Sequence, residues 1–368
     1  MKIGLFFGTF AGGGAERMMI RLAIGLDQKG AEVEIYVMNK TGPSLKEIPF
    51  YIKIHDYKAR YGAKSVLYRI RKTLRKNDLD VLISTQVHVN TIVALASIGL
   101  KNRPKLIFRE ASTPSRKYTS YWRKFIYKRF YRFADRYVAV SEGVKDDMVN
   151  YYRLKTEIID VIYNPLIDES LKIKMNERLD HPWFNEKNNV PVIVGMGRIV
   201  PVKAFDDLIK AFALVRKETD ARLVILGDMN ENRVHYKYLL SLINELKLEP
   251  YVDFTGYVDN PFKYLNNASL FVLSSKSEGL PGGLVQAMAC GCPVVSTDCP
   301  SGPKEILEYG RYGHMVGVGS TRKMADAILL TLKKPVAKEE LINRANFFSV
   351  EKSVQKYTEL IESELFCQ

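Results

Sequence analysis

Residues 277–296 read SEGLPGGLVQAMACGCPVVS, in which an acid, three glycines and a proline precede an apolar run. Residues 270–273, just before this stretch, are all apolar, which is typical of a buried strand. Residues 283–289 favour a helix that ends at Gly291, and residues 293–297 favour a further strand. The stretch therefore predicts a strand–loop–helix–strand unit whose glycine-rich loop brings the backbone close to a neighbouring group.

The same alternation runs along the whole chain. Helical patterns of roughly 10–18 residues separate most of the strand-like runs, which indicates parallel sheets covered by helices on both faces. The predicted fold class is therefore α/β, with two facing Rossmann-like domains and a cleft between them, where ligands bind at the carboxyl ends of the strands. The strand-like runs begin near Ile3, Val33, Ile52, Val81, Leu106, Val138 and Ile159, and again near Val192, Leu223, Val252, Leu270 and Val294.

A length of 368 residues allows two domains, and the pattern starts twice, near Lys2 and near Pro191. We predict an N-terminal domain over residues 1–167 and a C-terminal domain over 191–350. The polar stretch 168–190 between them lacks a strong period, which indicates a linker.

Charge is distributed unevenly between the two halves. Residues 1–186 hold 33 of the 55 Lys and Arg residues but 20 of the 41 acids, so they carry nearly all of the net charge of +14. We expect this half to meet an anionic partner.

The sequence points to a cytoplasmic protein without a metal site. No apolar stretch approaches the ~20 residues of a membrane span, and the N-terminus reads as a first strand rather than a signal peptide. The cysteines lack zinc spacing, and three of them lie around one predicted strand, which indicates reduced core thiols. The four cysteines are Cys290, Cys292, Cys299 and Cys367.

Glycines and charged residues follow several predicted strands at their carboxyl ends. Gly12–Gly14 frees amides at a helix N-terminus, although the spacing is not that of a dinucleotide site. Arg198 and Lys203 follow another strand, where both cations can neutralise a diphosphate. Glu278 lies ahead of the amides of 282–284, which favour phosphate, and its carboxylate can accept hydrogens from sugar hydroxyls.

Each of these features alone also occurs for an ordinary structural reason: a tight packing turn, two solvated cations, or an exposed acid beside a routine turn. Together they lie at the same edge of the predicted sheets. A phosphorylated, hydroxyl-rich ligand, and a nucleotide-sugar above all, fits this combination.

The chain resembles the retaining GT-B glycosyltransferases of the large fourth sequence family over essentially its whole length. The marks of the resemblance are GGGAER (12–17), GRIVPVKAF (197–205), the block 252–307 and FSVEKSVQKYTELI (348–361). The resemblance implies a UDP-sugar as co-substrate, no metal or other cofactor, and a last helix (351–366, within a segment 351–368) that crosses back onto the N-terminal, acceptor-binding domain.

By this resemblance, the residues that act on the donor are Arg198, Lys203 and Glu278, with Tyr257 and Val258 beside the base. Gly14 is expected to border donor and acceptor. The full set of expected donor-binding residues is Gly14, Gly197, Arg198, Lys203, Tyr257, Val258, Glu278, Gly279, Leu280, Pro281, Gly282, Gly283, Leu284 and Gln286.

Two positions depart from the family pattern. Gln286 stands where relatives usually have a second glutamate that grips ribose hydroxyls, and Ala111 stands where they often have a histidine. The resemblance implies transfer on the front face, with the leaving phosphate taking the acceptor proton. No pair of carboxylates at glycosidase separation is indicated, so no double displacement is expected.

Residues 116–137, the basic arm, read RKYTSYWRKFIYKRFYRFADRY. Cations interleaved with aromatic residues suit a helix that lies on an anionic membrane surface. The same pattern also fits a buried aromatic stripe, and it fits nucleic-acid binding, for which the sequence contains no recognised module. The candidate acceptor and membrane residues are Gly13, Arg116, Lys117, Trp122, Arg123, Lys124, Lys128 and Arg129.

The sequence thus predicts a retaining glycosyltransferase that moves a hexose or N-acetylhexosamine from a UDP-sugar to a glycan acceptor, lipid-linked by expectation. The predicted location is cytoplasmic, peripheral to the inner face of the cell membrane. The alternative is a weakly active or inactive relative that binds nucleotide-sugar or glycolipid as a scaffold, which Gln286 and Ala111 favour.

Overall fold

The structure, a computed structural model, describes residues 1–59, 63–76, 78–117, 121–184, 190–230 and 232–366. The chain forms two compact units. Unit 1 comprises Met1–Pro165 together with Ser349–Gln368, and unit 2 comprises Leu166–Phe348.

Unit 1 is built on a parallel seven-stranded sheet with the order β3-β2-β1-β4-β5-β6-β7. Its central strands are apolar and buried on both faces, as parallel sheets covered by helices require. The strands are β1 (Lys2–Phe7), β2 (Glu32–Val37), β3 (Lys53–Asp56), β4 (Val81–Thr85), β5 (Lys105–Glu110), β6 (Arg136–Ala139) and β7 (Ile159–Val161).

Seven helices of unit 1 lie among the described residues. They are α1 (Gly14–Gln28), α2 (Ala63–Lys76), α3 (Val87–Ser97), α4 (Pro114–Lys117), α5 (Tyr121–Phe130), α6 (Glu142–Tyr152) and α15 (Val350–Phe366).

The last helix, α15, belongs to unit 1, as the resemblance implies. Its buried residues Val354, Tyr357 and Ile361 join the same core cluster as the apolar face of α1. Gly25 permits this close packing, because a Cβ at that position would lie 2.3 Å from Val354 Cγ2.

Unit 2 is built on a parallel six-stranded sheet with the order β10-β9-β8-β11-β12-β13. The α/β class and the two Rossmann-like units are therefore confirmed. The strands are β8 (Val192–Met196), β9 (Arg222–Leu226), β10 (Val252–Gly256), β11 (Leu270–Leu273), β12 (Val294–Thr297) and β13 (His314–Val316).

The helices of unit 2 cover this sheet and form its core with it. Those among the described residues are α7 (Leu171–Met175), α8 (Phe205–Glu218), α9 (Arg233–Glu245), α10 (Phe262–Asn267), α11 (Gly282–Ala289), α12 (Pro303–Ile306), α13 (Thr321–Lys333) and α14 (Lys338–Ala345).

The stretch 168–190, predicted as a linker, falls within the compact unit 2. Asn260 Nδ2 donates to the Lys174 carbonyl (2.7 Å), and Asn266 Nδ2 donates to the Met175 carbonyl (3.1 Å). Asn266 lies in α10 and Asn260 just before it, so these bonds hold α7 against this part of unit 2, and the polar composition of the stretch reflects such hydrogen bonds. Residues 185–189 lie outside the described part of the chain.

Candidate functional site

Lys203 and Glu278 form an ion pair at the carboxyl-end edge of the unit 2 sheet. The Lys203 Nζ lies 2.7 Å from the Glu278 Oε1, although the two residues are 75 positions apart in the chain. Their side chains are 19% and 13% exposed, respectively, so both charges are largely shielded from water. An ammonium has three protons, and the bond to Glu278 uses one of them, which leaves two that can reach ligand oxygens.

The backbone between β8 and α8 fixes the position of Lys203. Residues Pro201–Lys203 form a 3₁₀ turn, after which Ala204 adopts a left-handed conformation (φ 48°) and α8 begins. Ser274 Oγ, just after β11, donates a 2.8 Å hydrogen bond to the Lys203 carbonyl. This hydrogen bond connects the backbone at Lys203, which follows β8, to the end of the neighbouring strand β11.

Gly197 makes room for the stem of Lys203. A Cβ at Gly197 would lie 3.1 Å from Lys203 Cε, and φ there is +156°. Gly227 in turn packs against the carbonyl of Gly197, where a Cβ would lie 2.1 Å from the oxygen. The sequence singled out Gly197, whereas Gly227 carries no motif that would have drawn attention to it.

The segment after β11 carries Glu278 and leads into α11. Among the described residues, no side chain caps the first turn of this helix, which begins at Gly282. Gly283 packs against Met196 and Phe271, where a Cβ would lie 3.1 and 3.3 Å from their side chains. The helix dipole and the amides at its start therefore provide a favourable place for an anion, in the same segment as Glu278, the partner of Lys203.

Gly302 supports the same segment from the next loop. Its φ is +88°, and a Cβ there would lie 2.6 Å from Pro281 Cδ and 3.0 Å from the Gly279 carbonyl oxygen. Leu280 and Pro281, which belong to this segment, are buried. Only glycine at 302 allows the loop after β12 to hold the segment so closely.

The other predicted donor residues in unit 2 follow strands of the same sheet. Arg198, directly after β8, is exposed. Tyr257 is exposed and Val258 half-buried after β10, while Gln286 is half-buried within α11. The structure thus brings the chain segments that carry these residues to one edge of the sheet, and it brings Lys203 and Glu278 into direct contact.

The thiols of unit 2 are buried and free. Burial raises the pKa of the Cys299 thiol to about 12. The negative charge of Glu278 also raises this pKa, whereas the positive charge of Lys203 lowers it. The Cys299 thiol therefore stays protonated and unreactive at neutral pH. Cys367 lies outside the described residues.

In unit 1, the Gly12–Gly14 turn opens α1. Gly12 adopts φ +84°, and α1 begins at Gly14 without a side-chain cap from any described residue. Gly13 and Gly14 are exposed, and a Cβ at Gly14 would meet no described atom within 4 Å. Packing inside the chain therefore does not require glycine at 14, in contrast to Gly25.

A buried polar network in unit 1 was not predicted from the sequence. Arg109, at the end of β5, is 1% exposed, and its guanidinium donates to Thr85 Oγ1 (2.9 Å) and to Asn164 Oδ1. Burial lowers the pKa of Arg109, while Tyr357 and the neighbouring Glu110 oppose that shift. Arg109, on β5, therefore links Thr85 on β4 to Asn164, which lies near the end of the segment Met1–Pro165.

Glu110 continues this network on the other side of the strand. Tyr131 donates its hydroxyl hydrogen to Glu110 Oε2 (3.1 Å), and Asn90 Nδ2 donates to the Tyr131 hydroxyl (3.1 Å). The signal available in the sequence was a charged pair at the end of an apolar run, directly before Ala111. Charged side chains at the carboxyl end of a parallel strand lie where loops and helices of the fold converge, so they can contact residues of other elements.

The basic arm comprises α4, α5 and a 3₁₀ turn at Tyr131–Phe133. Trp122 is 73% and Phe125 59% exposed, so these two rings do not form a buried stripe. Arg116, Lys128 and Arg129 are exposed, and Lys124 is half-buried. Residues 118–120 and the side chains of Lys117 and Arg123 lie outside what the structure describes.

No helix among the described residues has the length and apolar character needed to cross a membrane. In the same part of the chain, no group of three or more His, Cys, Asp and Glu side chains could hold a metal ion.

Comparison with known proteins identifies two matching family descriptions. Residues 12–169 match "Glycosyltransferase Family 4", and residues 190–334 match "Glycosyl transferases group 1". Together the two matches cover most of unit 1 and most of unit 2.

One similar protein is N-acetylgalactosamine-N,N'-diacetylbacillosaminyl-diphospho-undecaprenol 4-alpha-N-acetylgalactosaminyltransferase of Campylobacter jejuni. It is 29% identical over 358 residues, which cover 94% of this chain and 93% of the relative.

Solved structures share the fold over essentially the full length. A glycosyltransferase from Rickettsia africae superimposes with a TM-score of 0.84 at 18% identity, covering 100% of this chain and 99% of its own. Anabaena HepE in complex with UDP gives a TM-score of 0.80 at 21% identity, covering 99% and 100%. The chain therefore belongs to the family 4 glycosyltransferases with the GT-B fold.

Proposed function

We propose that this glycosyltransferase moves a hexose or N-acetylhexosamine from a UDP-sugar to a lipid-linked glycan, with retention, at the cytoplasmic face of the cell membrane. The observation that carries the proposal is the shielded Lys203–Glu278 pair, in which Glu278 belongs to the segment that leads into the uncapped start of α11. A cation and a helix N-terminus favour the diphosphate of a donor, and a carboxylate beside them can accept hydrogen bonds from its sugar.

The relatives support the two substrates. The Campylobacter jejuni relative is named for a diphospho-undecaprenol acceptor, and Anabaena HepE was solved with UDP. In the proposed reaction, Lys203 and Arg198 stabilise the charge that develops on the leaving UDP, which is the usual role of such clamps. The leaving phosphate accepts the acceptor proton, so no side chain of the protein has to act as the base.

Substitution of Lys203 tests this assignment. Lys203→Ala removes the cation that stabilises the leaving diphosphate, so we expect kcat/KM for transfer to fall by about 10²–10³-fold. The measurement is radiolabelled sugar transfer from the UDP-sugar to undecaprenyl-diphosphate-linked N-acetylhexosamine.

The matched control is Lys210→Ala, on α8. Lys210 also faces an acid, Asp206, at 4.0 Å, but it is more exposed than Lys203. We expect the control to keep transfer within about two-fold, because exposed ion pairs contribute only about 0–1 kcal/mol. Full transfer by both Lys203→Ala and Glu278→Ala would refute the assignment of the site, and a loss of transfer supports it when both variants melt at the wild-type temperature.

For the membrane contact, we propose that α5 lies on an anionic lipid surface. Trp122 and Phe125 are exposed three residues apart on one helix, and Lys128 and Arg129 are exposed beside them. Apolar rings can enter the headgroup region while each cation near an anionic leaflet contributes about 1 kcal/mol.

Co-sedimentation with vesicles tests this contact. We expect binding to vesicles with about 30 mol% phosphatidylglycerol that falls steeply between about 0.05 and 0.5 M salt, and about ten-fold weaker binding by Phe125→Ser. Val234→Ser, which alters an 82% exposed apolar residue on a helix of unit 2, is the control and should bind like wild type. Equal, salt-independent binding to neutral vesicles contradicts the proposal, and tight RNA binding at ~150 mM salt favours the nucleic-acid alternative.

A further inference from the structure

Glu16 and Gln86 form a side-chain pair at the carboxyl ends of two adjacent strands of unit 1. Glu16 lies in the first turn of α1, which follows β1, and Gln86 lies between β4 and α3. Gln86 Nε2 donates a 2.9 Å hydrogen bond to Glu16 Oε1 across 70 positions of sequence. Both residues are half-buried.

Two glycines make space for this pair. A Cβ at Gly8 would lie 2.7 Å from Gln86 Oε1, and a Cβ at Gly13 would lie 2.6 Å from Glu16 Oε2. Gln86 itself has φ +75°, a conformation that residues other than glycine rarely adopt. The local backbone on three sides is thus arranged so that the amide and the carboxylate meet.

The pair leaves two acceptor oxygens over. Its hydrogen bond uses one oxygen of Glu16 and one of the two N–H groups of the Gln86 amide, so the second N–H remains as well. Within the described chain, the other oxygen of each side chain, Glu16 Oε2 and Gln86 Oε1, has no hydrogen-bond partner. Next to them along the chain, Gly14 is exposed and borders open space.

This chemistry selects for a class of ligand. The Glu16 carboxylate repels a phosphate, whereas the two acceptor oxygens take hydrogens from hydroxyl groups and the remaining N–H of Gln86 can donate to a hydroxyl oxygen. A sugar ring offers neighbouring hydroxyls at fixed spacing. The pair is therefore suited to the neutral sugar of a substrate and not to its diphosphate.

We propose that Glu16 and Gln86 bind hydroxyl groups of the acceptor sugar and thereby set which sugar is accepted and how it is oriented. The inference rests on the proposed function, because it assigns a role in the acceptor half of that reaction.

The test is acceptor binding by Gln86→Leu, which removes the amide and keeps the volume. The probe is undecaprenyl-diphosphate-linked N-acetylhexosamine in detergent, with a panel of acceptor sugars, and UDP binding is measured in parallel. We expect the dissociation constant for the acceptor to rise by about 10- to 100-fold, with the constant for UDP unchanged within about two-fold.

A matched control and a rescue separate recognition from folding. Gln355 and Glu359 on the exposed face of α15 make a pair with the same 2.9 Å geometry, so Gln355→Leu should leave both constants unchanged. The swap Glu16→Gln with Gln86→Glu keeps one amide, one carboxylate and two acceptor oxygens, and should restore acceptor binding to within about five-fold of wild type.

The outcomes are distinct. Wild-type acceptor affinity in Gln86→Leu overturns the inference, as does a parallel loss of acceptor and UDP binding with a lowered melting temperature, which indicates a structural pair. Wild-type protein that binds no acceptor of the panel overturns it too. Wild-type protein that binds acceptor but transfers no sugar contradicts the proposed function and leaves this assignment standing on its binding data.

Discussion

Individual residues determine the chemistry of this protein where they hold a charge that is largely shielded from water, as Lys203 and Glu278 do. Lys203 is predictable from sequence because it follows a strand and precedes a helix, and its contact with Glu278 follows from the adjacency of β8 and β11 in a parallel sheet. Gln86 is not predictable, because nothing in its neighbours QVHV indicates a positive φ. The contacts of its side chain are with Gly8 and Glu16, which are distant in sequence.

Glu34 is a buried carboxylate that the sequence does not single out. It lies on β2 and accepts hydrogen bonds from Tyr36 (2.6 Å), His55 (2.8 Å) and Lys53 (3.4 Å), while Lys2 Nζ lies 3.2 Å away. Burial raises its pKa, but the hydrogen bonds from Tyr36, His55 and Lys2 outweigh burial and lower the pKa from 4.5 to about 2. In the sequence, nothing distinguishes Glu34 from Glu32, the other acid of this strand, because both alternate with apolar residues.

This pKa gives a pH dependence of stability with a definite sign. Since the folded pKa is below the unfolded one, the unfolded chain takes up the proton first as pH falls. The contribution of Glu34 is therefore complete above pH 4.5 and is lost as pH falls towards 2. Between about pH 7 and pH 4, we expect wild type to lose about 1 kcal/mol more of its unfolding free energy than Glu34→Gln does.

Urea denaturation at the two pH values measures that difference. Glu32→Gln is the control, because Glu32 contacts the same Lys2 but is exposed. We expect the control to retain the wild-type pH dependence. Identical pH dependence in Glu34→Gln and wild type would show that folding does not lower the pKa of Glu34.

At the scale of elements, most strand starts could be predicted, whereas one short strand and one short helix could not. The twelve predicted strand starts each fall within two residues of an observed strand start. The strand β13 (His314–Val316) went unpredicted because Gly313 and Gly317 interrupt the chain on either side of it, whereas the equally short β7 begins the apolar-rich run 159–163. The position of α7 also went unpredicted, since it depends on hydrogen bonds from asparagines some 90 residues away.

The packing of α15 on α1 gives a prediction of this scale. Gly to Ala inside a helix is normally stabilising by about 0.5–1 kcal/mol. At Gly25 the sign reverses, because the new Cβ would lie 2.3 Å from Val354 Cγ2. We expect Gly25→Ala to lower the free energy of unfolding by about 1–3 kcal/mol, as overpacking does.

A double-mutant cycle with Val354→Ala tests whether the two helices meet at this point. Val354→Ala makes room for the added methyl group, so the double variant should be more stable than the sum of the two single effects predicts, by about 1 kcal/mol or more. Additive effects, measured by urea denaturation, would contradict the packing of α15 against Gly25.

At the scale of the whole molecule, the two units carry different chemistry. Unit 2 holds the Lys203–Glu278 pair and the start of α11, which suit a nucleotide-sugar. Unit 1 holds the basic arm and the hydroxyl-accepting pair of Glu16 and Gln86. The uneven charge of the sequence already indicated that the two halves differ. The polar network around Arg109 could be recognised only in the folded structure, because its partners Thr85 and Asn164 are far apart in sequence.

The measurement that tests the account most directly is UDP release from a panel of UDP-sugars, with and without bacterial lipid extract, by wild type and by Glu278→Gln. We predict that the lipid extract stimulates release from one UDP-sugar and that Glu278→Gln loses this stimulation while it remains folded. No release from any UDP-sugar, despite measurable UDP binding, would contradict the account and favour a scaffold that binds its ligand without turnover.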